Sequence, residues 1–125
     1  SSLSDKAIQI LLQTPDAALN LDISQLDSSP DTELLREVWH LCQTHPEITS
    51  ISILGAWQGT EEGRHLKVLA EDTHFFENLD ASTALQDILI QLRIQQLELE
   101  LKQNADLLTT MRLKKELAIL AKKTP

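Results

Sequence analysis

The chain has 125 residues, 42% of them hydrophobic but only 3% aromatic, with a formal net charge of -8 and a pI near 4.8. A chain of this length buries one modest core, and with so few aromatics Leu and Ile must fill it, which favours interlocking helices over a β-sandwich. So acidic a molecule lacks the broad basic footprint that phosphate-backbone binding draws on, which argues against nucleic acid as its main ligand.

The charge is unevenly placed. Residues 1 to 110 carry six Lys/Arg against 18 Asp/Glu, a balance of -12, whereas residues 111 to 125 carry five against one, or +4. The lone Cys42 allows no intramolecular disulfide and fits a reducing compartment. No apolar run approaches the roughly 20 residues that span a bilayer, and no opening segment has signal-peptide character, so a cytoplasmic protein without membrane contact is expected.

Helix signals dominate. Ser4 precedes "DKAIQILLQ", in which Ala7, Ile8, Leu11 and Leu12 recur at helical spacing, and Thr14-Pro15 caps and begins a short second turn, "PDAAL". Residues 20 to 29 read as a loop around one turn at "ISQL". "SSPDTE" then predicts a helix start, with Ser29 as cap and Pro30 at the first helical position. That helix runs to about His45 and stops before Pro46, with Leu34, Leu35, Val38, Leu41 and Cys42 on its apolar side.

Thr49 or Ser50 opens "SISILGAW" as a helix, although Ile48, Ile51 and Ile53 also allow a short strand. Thr60 caps "EEGRHLKVLA", whose Leu66, Val68 and Leu69 can face a core. "EDTHFFENLDAS" is an irregular connection. A long helix follows from Thr83 to about Lys102, and at about 100° per residue its apolar pattern changes face. Leu85, Ile88, Leu89 and Leu92 lie on one side, while Ile90, Ile94, Leu97 and Leu101 cluster nearly opposite. The first set completes a core with residues 5 to 80; the second must pack on something else.

That partner comes next in the chain. "KQNAD" is a short turn, with Asn104 stopping one helix and Asp106 starting another, and short connections make antiparallel neighbours. The closing helix, 107 to about 122, has Leu113, Leu117 and Leu120 in a seam suited to its hairpin partner. On another side Leu108, Arg112, Lys115, Ile119 and Lys122 fall within about 80° of one another. That side is apolar and cationic together, and a two-helix hairpin has too little interior to bury both sides. The expected architecture is all-α: a bundle over 1–90 and a hairpin over 91–125, with the long helix 83–102 shared between them.

Catalytic constellations are weak. In "WHLCQTH", Cys42 and His45 share a helix face but His40 is turned away by about 160°, so no three-ligand metal cluster forms locally, and no base is set against the thiol. His65 and His74 are isolated. Glu61-Glu62 and Glu71-Asp72 read as adjacent surface acids rather than an acid-base pair. Gly55, Gly59 and Gly63 form no phosphate loop, and Trp39 and Trp57 read as core anchors. These patterns call for no catalytic residue, metal or cofactor. The bland reading of the basic end is a solvated face whose cations offset the helix dipole, but Ile119, set among them, favours a protein partner.

The order "LLQTPDAAL", "LLREVWHLCQTHPEIT", "ILGAWQGTEEGRHLKVLA", "LQDILIQLRIQQLELE" and "KELAILAKK" resembles the C-terminal helicase-binding domain of bacterial DNA primase (DnaG) over essentially the whole chain. The resemblance implies an all-α bundle, related to the N-terminal domain of the replicative helicase (DnaB), followed by a helical hairpin. It implies that the hairpin docks on the helicase N-terminal domains, recruits primase to the replication fork and modulates helicase activity and RNA primer synthesis. The recognition surface then maps onto Leu108, Arg112, Lys115, Glu116, Ile119, Lys122 and Lys123, with cations pairing to helicase acids and Leu108 and Ile119 as anchors. The family's bundle can also hold the acidic tail of single-stranded DNA-binding protein; Lys6 and Lys67 lie near that site, but Asp5 stands where a basic residue would help. The zinc-binding and polymerase segments of a primase are absent from these residues, so the domain is not itself an enzyme and is expected to be monomeric. The alternative is the N-terminal domain of a replicative helicase, or another helical replication adaptor, which would self-associate.

Overall fold

The computed structural model describes residues 2–72, 80–103 and 106–124, and these are organised as six α-helices with one 3-10 turn and no strand among them. The helices are α1 Leu3–Gln13, α2 Glu33–Thr44, α3 Ser50–Ala56, α4 Glu61–Glu71, α5 Ala81–Gln103 and α6 Leu107–Ala121, with the 3-10 turn at Pro15–Ala18 between α1 and α2. The connection through Thr73 to Leu79, which includes His74, and the Asn104 stop signal lie outside the described residues.

α1 is the centre of the bundle. Its Ala7, Ile8, Ile10, Leu11 and Leu12 are all buried, too many for one stripe, because α2, α3, α4 and α5 pack around it. Buried Gln9 satisfies its amide by donating to the Leu69 carbonyl at 3.3 Å and to Asp72 at 3.5 Å, which ties the end of α4 to α1. The Ser50 hydroxyl likewise donates to the Leu12 carbonyl and anchors the start of α3.

Several boundaries differ from those expected. Ser2, not Ser4, caps α1: its hydroxyl accepts from the Asp5 N–H at 3.1 Å, and Ser4 is buried instead. Thr14 makes no side-chain cap; its N–H closes α1 on the Ile10 carbonyl and its own carbonyl accepts from the Ala17 N–H. Ser29 and Pro30 do not begin α2. They form a preceding turn in which the Thr32 N–H donates to the Ser29 carbonyl, and α2 starts at Glu33. The hydroxyls of Ser29 and Thr32, 3.0 Å apart, bond each other, so the cap signal is spent within the turn. Residues 50 to 56 are helical, excluding the strand alternative, with the Thr49 hydroxyl accepting from the Ser52 N–H at 3.2 Å. Thr60 caps α4 as expected, accepting from the Gly63 N–H at 2.9 Å. Gly63 leaves room that a side chain would take: a Cβ there would run into the Trp57 carbonyl oxygen. In α4 Leu66 and Leu69 are buried, but Val68 is 65% exposed and takes no part in the core.

α5, about 34 Å long at 1.5 Å per residue, serves two interiors. Leu85, Leu89 and Leu92 complete the bundle core with Trp39, Leu35 and Ile53, and Ile88 packs against it. Ile90, Leu97, Leu113 and Leu120 form a second cluster, flanked by Ile94, Leu101 and Leu117, where α6 lies against the later turns of α5. Trp57 is only partly buried, at the margin of the first core.

The loop between the 3-10 turn and α2 is fastened by side chains of α2 and α5. Gln43 donates to the carbonyls of Ala18 and Leu21, Arg36 donates to the Leu26 carbonyl at 2.7 Å, and Gln96 of α5 grips Asp27. Leu26 is thereby held in the core.

Candidate interaction face on the closing helix

Asp106 starts α6, its carboxylate accepting from the Thr109 N–H at 3.0 Å and the Thr109 hydroxyl at 2.6 Å. Those hydrogen bonds to Thr109 hold the Asp106 pKa below the ordinary carboxylate value. The register that follows buries Leu113 and Leu120 and turns the opposite side outward. Leu108 is 76% exposed and Ile119 51%, with the exposed cations Arg112, Lys115 and Lys122 between and beside them. Met111, 59% exposed, borders the same side, as does Leu107. Both were missed in the sequence reading, although at 100° per residue Met111 lies only about 60° from the centre of the face.

Two predicted residues are engaged within the chain. The Arg112 guanidinium approaches Glu100 of α5 at 3.9 Å, a long and exposed pairing that leaves it available. Glu116 is held firmly: Arg93 of α5 donates from Nε to Oε1 at 3.1 Å and from Nη2 to Oε2 at 3.4 Å. The third arm of Arg93, Nη1, reaches Asp27 at 3.3 Å. Lys123 is exposed just past the helix end.

The lysines of the bundle do not share one site. Lys67 lines an open groove of about 460 Å³ between α3 and α4, together with Arg64 and the apolar Ile51 and Leu54, and Lys6 is not among its lining residues. Asp5 is instead paired with His65, Oδ1 to Nε2, at 2.8 Å.

The "WHLCQTH" residues are structural in placement. Cys42 is buried against the core, and burial pushes its thiol up to about 11, so the thiolate needed for nucleophilic chemistry is not populated near neutrality. His40 and His45 are exposed, and His45 ends α2 beside the Thr44 hydroxyl and Leu41 carbonyl. Among the described residues no group of three or more His, Cys, Asp or Glu is gathered as a metal site, and no helix is long and apolar enough to cross a membrane.

On α6, exposed apolar and cationic side chains therefore lie side by side. A family described as DNA primase DnaG DnaB-binding matches residues 5–119. A DNA primase of Pasteurella multocida (strain Pm70) is 34% identical over 97 residues, 75% of this chain but 17% of that protein, so the chain spans about a sixth of this relative. The crystal structure of the DnaG primase C-terminal domain from Vibrio cholerae shares the fold, with a TM-score of 0.62, 22% identity and 96% coverage of both chains. The chain belongs to the DnaB-binding domain family of the bacterial primase DnaG.

Proposed function

We propose that the outward face of α6 docks on the N-terminal domain of the replicative helicase DnaB. In this way it brings the primase to the replication fork in the cytoplasm, where helicase activity and RNA primer synthesis are modulated. The domain acts as a monomeric recruitment module, split between a bundle over 1–90 and a hairpin over 91–125. The polymerising chemistry belongs to the rest of the primase. The observation that carries this reading is the pairing of exposed apolar side chains, Leu108 and Ile119, with unshielded cations on the side of α6 that the hairpin does not use. Leu108 and Ile119 anchor; Arg112, Lys115, Lys122 and Lys123 pair with acidic helicase residues and set orientation and association rate. Glu116 stands at the edge of that face with its carboxylate turned to Arg93.

The test is a titration of the isolated chain against the helicase N-terminal domain. Ile119→Asp with Lys115→Glu should weaken binding by about a hundredfold, or ~3 kcal/mol, without changing helicity. Deletion of residues 105 to 125 should abolish capture in a pull-down. Unchanged affinity in the double variant removes this face from the site.

A second contact, with the acidic tail of single-stranded DNA-binding protein, is favoured at Lys67 rather than Lys6, because Lys67 shares a groove with Arg64, the exposed Ile51 and the half-buried Leu54. Lys67→Glu should then abolish binding of an acidic tail peptide, while Lys6→Glu should leave it intact; the reverse result would move the contact to α1.

A further inference from the structure

Asp27, Arg93 and Glu116 come from the bundle loop, the long helix and the closing helix, and they meet at one guanidinium. Arg93 is 14% exposed and uses all three of its faces. Nε and Nη2 form a fork on Glu116, while Nη1 reaches Asp27. One turn further along α5, Gln96 closes a two-point clamp on the backbone of Asp27: its Oε1 accepts from the Asp27 N–H at 2.8 Å and its Nε2 donates to the Asp27 carbonyl at 2.9 Å. These contacts lie just past Leu92, where α5 leaves the bundle core and enters the hairpin cluster. Among the described residues the hairpin cluster has four buried side chains, Ile90, Leu97, Leu113 and Leu120, to fix its direction.

We infer that Arg93 is a positioning residue that locks the hairpin to the bundle by holding one carboxylate from each, with Gln96 fixing the loop that presents Asp27. The lock straightens α5 across the junction and sets the direction in which α6 faces a partner. It also draws inward Glu116, the single acidic side chain of α6, so that the outer face is left cationic. This consequence for binding rests on the proposed helicase contact; the lock itself does not.

The experiment is a comparison of residual dipolar couplings from the amides of residues 35–42 and 113–120 in the whole 125-residue chain. In the wild type both sets fit one alignment tensor. In Arg93→Gln the hairpin tensor should fall at least twofold in magnitude relative to the bundle tensor, with helicity by circular dichroism unchanged. If Arg93→Gln fails to fold, Asp27→Asn with Glu116→Gln, which leaves Arg93 in place without either carboxylate, must give the same separation. A single shared tensor in whichever variant folds, or two tensors already in the wild type, overturns the lock. In the helicase titration Arg93→Gln should weaken binding on the order of tenfold through lost preorganisation. A wild-type chain that does not bind the helicase would sink the functional reading and leave the tensor comparison to decide the lock.

Discussion

The bundle and the hairpin are built from the same aliphatic side chains but bury them to very different extents. Among the described residues the bundle core gathers eighteen buried side chains around α1 and Trp39, whereas the hairpin cluster gathers four. The bundle can therefore hold its own shape, and the hairpin leans on α5, on Arg93 and on the loop at Asp27. A helix pair that hides only one side leaves the other exposed, and the stability it lacks is supplied by its attachment to a larger core.

The largest test of this contrast is Trp39→Ala. Trp39 is fully buried, and its removal should cost about 3–5 kcal/mol and lower the melting of every bundle helix together. Loss of hairpin protection alone would break the comparison. Leu113→Ala, at the centre of the small cluster, should cost about 2–3 kcal/mol, at the low end for a buried Leu because a two-helix interface can collapse around the gap. Hydrogen exchange should then quicken in residues 107–121 and stay slow in α1. Uniform quickening would show that bundle and hairpin melt as one unit.

Smaller changes sharpen the picture. Thr60→Ala removes the cap of α4 and should cost about 1 kcal/mol, read in the denaturant midpoint of the bundle. Ile119→Ala, on the exposed face, should move stability by under about 0.5 kcal/mol, which a thermal melt can check. At Asp106 the pKa is lowered in the folded chain by its bonds to Thr109. The stabilisation is therefore present above the unfolded value, near 3.8, and is lost as pH falls through the folded value. Fraying of the first turn of α6 should begin below about pH 4, and in Asp106→Asn that acid-dependent step should disappear from the exchange profile.

Most of the helices were legible because periodicity reports burial directly. The change of face along α5 placed Leu85, Leu89 and Leu92 in one core and Ile90 and Leu97 in another, as found. Cap signals were less dependable where hydroxyls had competing partners. Ser29 and Thr32 bond each other, and Ser4 is covered by neighbouring helices while Ser2 does the capping. Val68 lay at a helical spacing that allowed burial, but α4 buries Leu66 and Leu69, with Ala70 packed beside them, and leaves Val68 outside. The candidate face of α6 followed from angle alone, and the same angle sets Met111 at its border, yet the inward turn of Glu116 did not follow from it.

What the chain by itself determined is local: which residues are helical, which side of each helix is apolar, and that the basic closing segment carries more apolar surface than one hairpin seam can use. These follow from side-chain spacing at 3.6 residues per turn, which needs no knowledge of distant neighbours. Only the tertiary structure decided that residues 27, 93 and 116 meet, because ion pairs between such distant positions have no period to announce them. It also decided which of the charges around the α6 face are committed inside the molecule. Glu116 is held by a forked pair with the mostly buried Arg93, while Lys115 and Lys122 stay in water.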